Sequence, residues 1–293
     1  MAALEFEKWI EAESGGNIQV EVFPNGSISS SDADLAQAAA MGTIEIAFSA
    51  SSSLTNYSDK FGILDMPYLF DNVDNYFAAV DGDLGTTLNQ ELQGTGLTIL
   101  GYSFNGIRNV SNNVRPINEP ADFAGVNMRV MQSPTHIATF EAFGANATPM
   151  GFGEIYTGLQ QGTVDGQDNA ASLIYAQQFY EVQDYLSLTE HNFGTMAFIA
   201  NEAWYNGLSP ENKALVDEGV KTYILDWERQ TELTNNEDFI NRLAEEGMEV
   251  NEITPENKAK FVEAVQPVYE EFQSTFGQEL FDIADSYNQT TTE

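Results

Sequence analysis

The chain has 293 residues, 45 acidic against 11 basic, giving a formal net charge of -34, and it contains no cysteine. So large a negative excess argues against nucleic acid as a partner and disfavours anionic membrane surfaces, because like charges repel. The missing cysteine excludes disulfides, thiolate zinc sites and a cysteine nucleophile. With 42% hydrophobic residues the chain can bury real cores, and its length suits two domains or one large two-lobed unit. The acids form either a solvated shell suited to a salty environment or a cation-binding surface. They are spread out rather than grouped at metal-ligand spacing, which favours the shell. No run approaches the roughly 18 apolar residues of a spanning helix, so stable membrane insertion is not expected.

Residues 2–10 already have a helical pattern, with Leu4, Phe6, Trp9 and Ile10 apolar and no capping residue before them. The chain therefore reads as starting inside a helix, with something upstream absent. Gly15-Gly16 stops that helix, and 17–23 alternates as a strand closed by Pro24-Asn25-Gly26. Ser31 and Asp32 offer caps for a helix over 35–41, and 43–48 reads as a second strand running into a serine loop, 49–53. Strand, helix and strand in that order predict a βαβ unit and a parallel sheet. Ligands of such sheets bind beyond the carboxyl ends of the strands.

Helices are expected over 73–80 and on to Leu92, then a strand over 97–104 that delivers a loop at 105–109. A helical turn over 119–125 precedes a strand centred on Arg129, and 135–143 reads as helix. Residues 146–149 form a brief strand, 153–162 a helix, 164–169 a loop and 170–182 a helix. A strand over 195–200 follows. The Ser209-Pro210-Glu211 cap opens a helical pattern that persists to about Glu246. At 1.5 Å per residue that is on the order of 55 Å, so the helix must span two lobes or bend. A strand over 248–250, a second cap at Thr254-Pro255-Glu256 and a helix to about Tyr287 complete the chain.

Enzyme chemistry finds little footing. The two histidines, His136 and His191, read as polar end-pieces, and there is no Gly-x-Ser-x-Gly elbow, dinucleotide fingerprint or P-loop. Asp165-Gly166-Gln167-Asp168 fails calcium-loop spacing and reads as a turn. Arg129 is different. Between residues 61 and 212 the chain has no lysine and only three arginines, Arg108, Arg115 and Arg129. Arg129 sits in the apolar run Val126 to Met131, where a guanidinium needs a carboxylate or other acceptors, supplied by the chain or by a ligand. Arg108, Phe152 and Asn169 fall at other junctions that a parallel sheet would bring to one edge. Two arginines, an amide and an aromatic suit a small organic carboxylate, gripped bidentately and covered on its carbon skeleton.

The stretch Ser14 to Gly26, the block Met66-Pro67-Tyr68-Leu69-Phe70, the strand Gly125 to Pro134, the run Val164 to Asn169, and Tyr180-Glu181-Val182 with His191 together resemble the solute-binding proteins of TRAP transporters, a family typified by C4-dicarboxylate binding. The resemblance runs in order along essentially the whole chain. It implies an α/β periplasmic binding protein fold of two lobes, with mixed sheets flanked by helices and one long helix spanning both. The lobes would be 1–106 with 195–234 and 107–194 with 235–293. It further implies a periplasmic receptor without cofactor or metal that closes on an acid and hands it to a membrane permease driven by a sodium gradient. In the family the residue matching Arg129 holds the carboxylate, Asn169 supports it, Arg108 is an earlier arginine and Phe152 packs on the ligand. Ser49, Tyr68, Leu173 and Phe193 join the expected site in parts that vary with substrate. The family's opening strand and loop have no counterpart before the first helix, and Asp168-Asn169-Ala170 stands where Glu-Asn-Pro is usual. A receptor for a neutral sugar or a metal is the alternative, with a carboxylate-pair hydrolase behind it.

Overall fold

The computed structural model describes residues 2–24 and 26–289, and in it two unusually long strands cross the whole molecule. We label the strands β1 Ile46–Ala50, β2 Leu97–Asn112, β3 Asn127–Val130, β4 Asn146–Pro149, β5 Gly166–Ala170, β6 Tyr185–Asn201 and β7 Glu249–Glu252. Their order is β1-β6-β2-β5-β3-β4, with β7 also on β6. One end of the antiparallel β2–β6 pair carries β1, paired with residues 46–50 against 196–200. The other end carries β7 on one side and β5, β3 and β4 on the other. Two half-sheets thus share two crossing strands.

Between them β2 slips register, from Phe104 to Ile107, around Gly106. Gly106 has φ +83°, and a Cβ there would come within 2.5 Å of the Ala170 Cβ, so this bulge requires glycine.

Alternation along the crossing strands builds cores on both faces. Ala197 and Ile199 enter a large core with Phe61, Phe104, Phe123, Phe140 and Phe261, while Phe198 between them enters a second one with Phe6, Ile10, Val216 and Ile224. A third core around Ile155, Leu186, Leu243 and Met248 lies on the far half-sheet. The helix opening at Pro210 touches both of these smaller cores. Ser209 caps it by accepting the Asn212 N–H, and it continues through a wider π-type stretch, Val220–Asp226, into Trp227–Glu245. The expected long helix spanning both halves is present. Gly101 admits it closely, since a Cβ at that position would meet Leu225 Cδ1.

Several expectations need correction. Residues 17–23 form no strand: Ile18 and Val20 turn inward, but their N–H groups bond to Ser14 Oγ and Glu11 Oε1 rather than to a ladder. The alternation there reports one buried face, not a paired strand. Asn25 of the turn expected next lies outside the described residues. Without that strand the expected βαβ unit at 17–48 does not form, β1 is shifted to 46–50 and pairs antiparallel, and 51–56 is a 3-10 helix rather than a loop.

The expected loops at 105–109 and 164–169 are largely strand, in β2 and β5, because pairing with neighbouring strands satisfies their polar backbones. The helix expected over 170–182 ends at Ala176, and β6 begins ten residues before the predicted 195. The final helix is three, Pro255–Ala264, Gln266–Phe276 and Gln278–Gln289. Pro267 cannot continue the first, and Gly277, at φ +84°, ends the second.

Candidate functional site

Arg129 lies in β3, one residue from its carboxyl end, and is 3% exposed. Parallel β3–β4 pairing sets it opposite Thr148 and brings the loop after β4 back over its guanidinium. There Nε and Nη2 both donate to the Met150 carbonyl, at 3.0 and 2.8 Å. Among the described residues Arg129 makes no salt bridge, and Nη1 has no hydrogen-bond partner. Burial pushes its pKa down to about 10, with Asp168 opposing, Arg108 adding to the drop, and Asp32 and Glu154 opposing. The group therefore keeps its charge at neutral pH.

The start of the helix Asp32–Ala40 and the segment after β1 approach the residues that flank Arg129. Asp32 Oδ1 accepts the Ala50 N–H at 3.2 Å, and Ser49 Oγ donates to the Asp32 carbonyl at 3.1 Å. Ser49 and Ser53 hydroxyls are 2.7 Å apart. The two sides nearly touch at the rim: Ser52 Oγ is 3.7 Å from Met131 Sδ, and a Cβ on Gly153 would come within 2.9 Å of the Ser30 Cβ.

Beneath Arg129 lies a fully buried ionic network. Arg108, in β2, gives Nε to Asp168 Oδ2 at 2.6 Å, Nη2 to the Asp168 carbonyl at 2.5 Å and Nη1 to Asn169 Oδ1 at 3.2 Å. Antiparallel β2–β5 pairing puts Arg108 beside Ala170, so both partners are one or two residues along the next strand. Asn169 in turn donates to Gln167 Oε1 at 2.5 Å. His191 Nε2 approaches Asp168 Oδ2 at 3.3 Å, and its Nδ1 lies 2.9 Å from Thr189 Oγ1. A neutral ring protonated on Nε2 satisfies both bonds. Burial lowers the His191 pKa, against Asp168. Burial alone would raise the Asp168 carboxyl, yet Arg108, with His191 and His136, holds it well below the usual carboxylate range.

The expected site residues thus fall into groups. Arg108 and Asn169 are bonded to each other, and Arg129 lies near enough to feel Asp168 and Arg108 electrostatically. Ser49 lies on the Asp32 side. Phe152 is half-buried in the 3-10 turn after β4, packed with Met150 against the third core. Tyr68 and Phe193 line a small cavity with Leu64, Met66 and His191, in which Tyr68 takes φ +56° and gives its N–H to the His191 carbonyl. Leu173 is half-buried in the helix Ala171–Ala176.

Sequence reasoning missed Asp168, His191 and Asp32 as members of this region. Asp168 is a buried strand residue rather than part of a turn, and His191 is inside β6 rather than at a strand end. A signal was available for Asp168, an acid spaced like Gln167 and Asn169 in an unbroken buried run, but only pairing with β2 identifies its partner.

Residues 1–275 match the model of the bacterial extracellular solute-binding protein family 7. The chain belongs to this family. It is similar to the 2,3-diketo-L-gulonate-binding periplasmic protein YiaO of Escherichia coli, 33% identical over 90% of this chain and 80% of the relative. It is likewise similar to the C4-dicarboxylate-binding periplasmic protein DctP of Vibrio cholerae, 32% identical over 99% of this chain and 86% of that one. Among solved structures, the sugar acid binding protein DctPAm of Advenella mimigardefordensis, in complex with galactonate, superimposes with a TM-score of 0.94 at 32% identity, covering 99% of this chain and 93% of that one. The chain is thus a solute-binding protein of the TRAP type with the two-lobed α/β fold of that family, as the sequence resemblance implied. Among the described residues no helix is long and apolar enough to cross a membrane.

Proposed function

We propose that this solute-binding protein captures a small organic acid between its lobes, in the periplasm, and delivers it to a TRAP permease without chemical turnover. The observation that carries the reading is Arg129: a buried, charged guanidinium whose one bonded partner among the described residues is a neutral carbonyl. A buried cation without a counter-ion is costly, and a ligand carboxylate relieves that cost while taking a bidentate grip. Arg108 already has a counter-ion in Asp168, and three of its five N–H groups are bonded within the chain, one of them to Asn169, which it holds in place. The relatives named above bind sugar acids or dicarboxylates, which agrees with an acid at this position.

Closure would bring together lobes made of 1–106 with 195–234 and 107–194 with 235–293, with the bulge at Gly106 in β2 as a pivot. As the cleft dries, the Arg129 ion pair strengthens. The test is a thermal-shift screen of the whole protein against acids, neutral sugars and divalent cations, followed by mass spectrometry of any ligand released on denaturation. An acid at 100 times its dissociation constant adds about 2.7 kcal/mol of stability. Stabilisation by a sugar or a cation and by no acid would overturn the reading.

A further inference from the structure

Resting on the carboxylate reading, we propose that Asp32 is the specificity-determining residue of the site, selecting polyhydroxy monocarboxylates over dicarboxylates by accepting hydrogen bonds from ligand hydroxyls. Four observations lead there. Asp32 lies between Ser30 and Ser52, which approach Gly153 and Met131 on the Arg129 side, and its charge and that of Arg129 act on each other, yet among the described residues the two form no salt bridge. Its side chain is not needed to cap the helix it begins, because Ser31 accepts the Asp34 N–H instead. It is fixed in place: Oδ1 takes the Ala50 N–H, and the Asp32 carbonyl takes the Ser49 hydroxyl. Oδ2 has no hydrogen-bond partner among the described residues.

A first-turn acid is often only a favourable charge at a helix N-terminus. Asp34, in the same turn and exposed, fits that description and bonds to Ser29. Asp32 differs, since it is half-buried, and burial raises its pKa against the Ala50 N–H and Arg129.

A ligand whose carboxylate sits on Arg129 extends its carbon chain toward Asp32. An ionised carboxylate can only accept hydrogen bonds, so it rewards hydroxyl groups on that chain and leaves a methylene unanswered. A second ligand carboxylate would meet it as a like charge, which penalises a dicarboxylate. Ser49 and Ser53, on the Asp32 side, can rotate to donate or accept and so tolerate different hydroxyl positions.

The experiment is titration calorimetry of D-glucuronate, succinate and butyrate into the wild type and into Asp32→Asn, Asp32→Ala and Arg129→Lys. The asparagine variant keeps an acceptor for the Ala50 N–H, and thermal unfolding checks that each variant folds. The wild type is expected to bind glucuronate at least tenfold more tightly than succinate or butyrate. Both Asp32 variants are expected to lower the glucuronate-to-succinate affinity ratio by about tenfold or more, the size of one lost charged hydrogen bond. A merely structural role would change affinity for all three acids alike. Acid binding that depends on Arg129 but keeps its ratio in both Asp32 variants, or a wild type that prefers succinate, overturns the Asp32 assignment alone. A wild type that binds none of the three overturns it together with the carboxylate reading.

Discussion

Arg129 spends one edge of its guanidinium, Nε with Nη2, on a single carbonyl, that of Met150. The carbonyl fixes the plane of the fork and leaves the end-on edge, Nη1 with the second N–H of Nη2, for a ligand. Lysine at 129 would keep the charge but lose both the fork and this orientation. Arg129→Lys is therefore expected to weaken acid binding about 10- to 100-fold, corresponding to roughly 1.5–3 kcal/mol for a charged hydrogen-bond pair. Calorimetry checks it, and an unchanged dissociation constant would remove Arg129 from the site.

The Arg108–Asp168 pair makes a prediction about stability rather than binding. Both side chains are almost completely buried, so removing the carboxylate charge strands a cation in the interior. Asp168→Asn should cost about 3–5 kcal/mol, read as a lower urea midpoint. Replacing both partners, Arg108→Met with Asp168→Leu, should recover much of that loss, because no charge is left unpaired. If the double variant is as unstable as the two single losses added together, the pair is not the unit this geometry describes.

A second buried acid predicts the response to pH. Glu228, on the long helix, is pushed up to about 7 by burial, against its hydrogen bond from Ser103 and with Glu232 one turn away adding to the rise. The folded protein therefore holds a proton that the unfolded chain releases near the ordinary value of 4.5. Stability from this group is present below that value and is lost as pH rises through about 7. Glu228→Gln should be neutral at pH ~4 and stabilising by on the order of 1–2 kcal/mol at pH ~8. His191 acts in the opposite sense, since its lowered pKa removes stability as pH falls below 6.5. Urea unfolding of wild type and Glu228→Gln from pH ~5 to ~8 separates the two, because only the Glu228 contribution vanishes in the variant.

Salt should matter more than in an ordinary protein. A net charge of -34 repels itself, and the screening length grows from about 3 Å at 1 M salt to about 30 Å at 0.01 M. The melting temperature is expected to fall steadily as sodium chloride is diluted over that range. Full stability in dilute buffer would show that the acidic surface carries no such cost.

How much of this was legible in the sequence differs from element to element. The Arg129 strand, the caps at Ser31, Ser209 and Thr254, and the helix from Pro210 could be read because local chemistry decides them: cap oxygens, proline at the first helical position, and an apolar run too short for a helix. Residues 17–23 misled because alternation records which face is buried and is silent about whether a neighbouring strand exists. The stretches 105–109 and 164–169 misled in the reverse direction. Their Gly, Asn and Asp residues suggest loops, but pairing with neighbouring strands holds them extended.

The sequence by itself determined that the chain is acidic, cysteine-free and α/β, that Arg129 is an isolated cation in an apolar strand, and that its motifs are those of TRAP solute-binding proteins. These follow from composition and from neighbours within a few residues, where chain connectivity fixes what meets what. Only the tertiary structure decided which arginine already has an acid as its partner. Arg108 and Asp168 are 60 residues apart and meet because β2 and β5 pair, whereas Arg129 finds a carbonyl and, among the described residues, no acid. It also brought Asp32, a helix-capping candidate by sequence, within electrostatic reach of Arg129. Charge pairing across such distances depends on strand register and on how the half-sheets approach each other, and neither is written in local pattern.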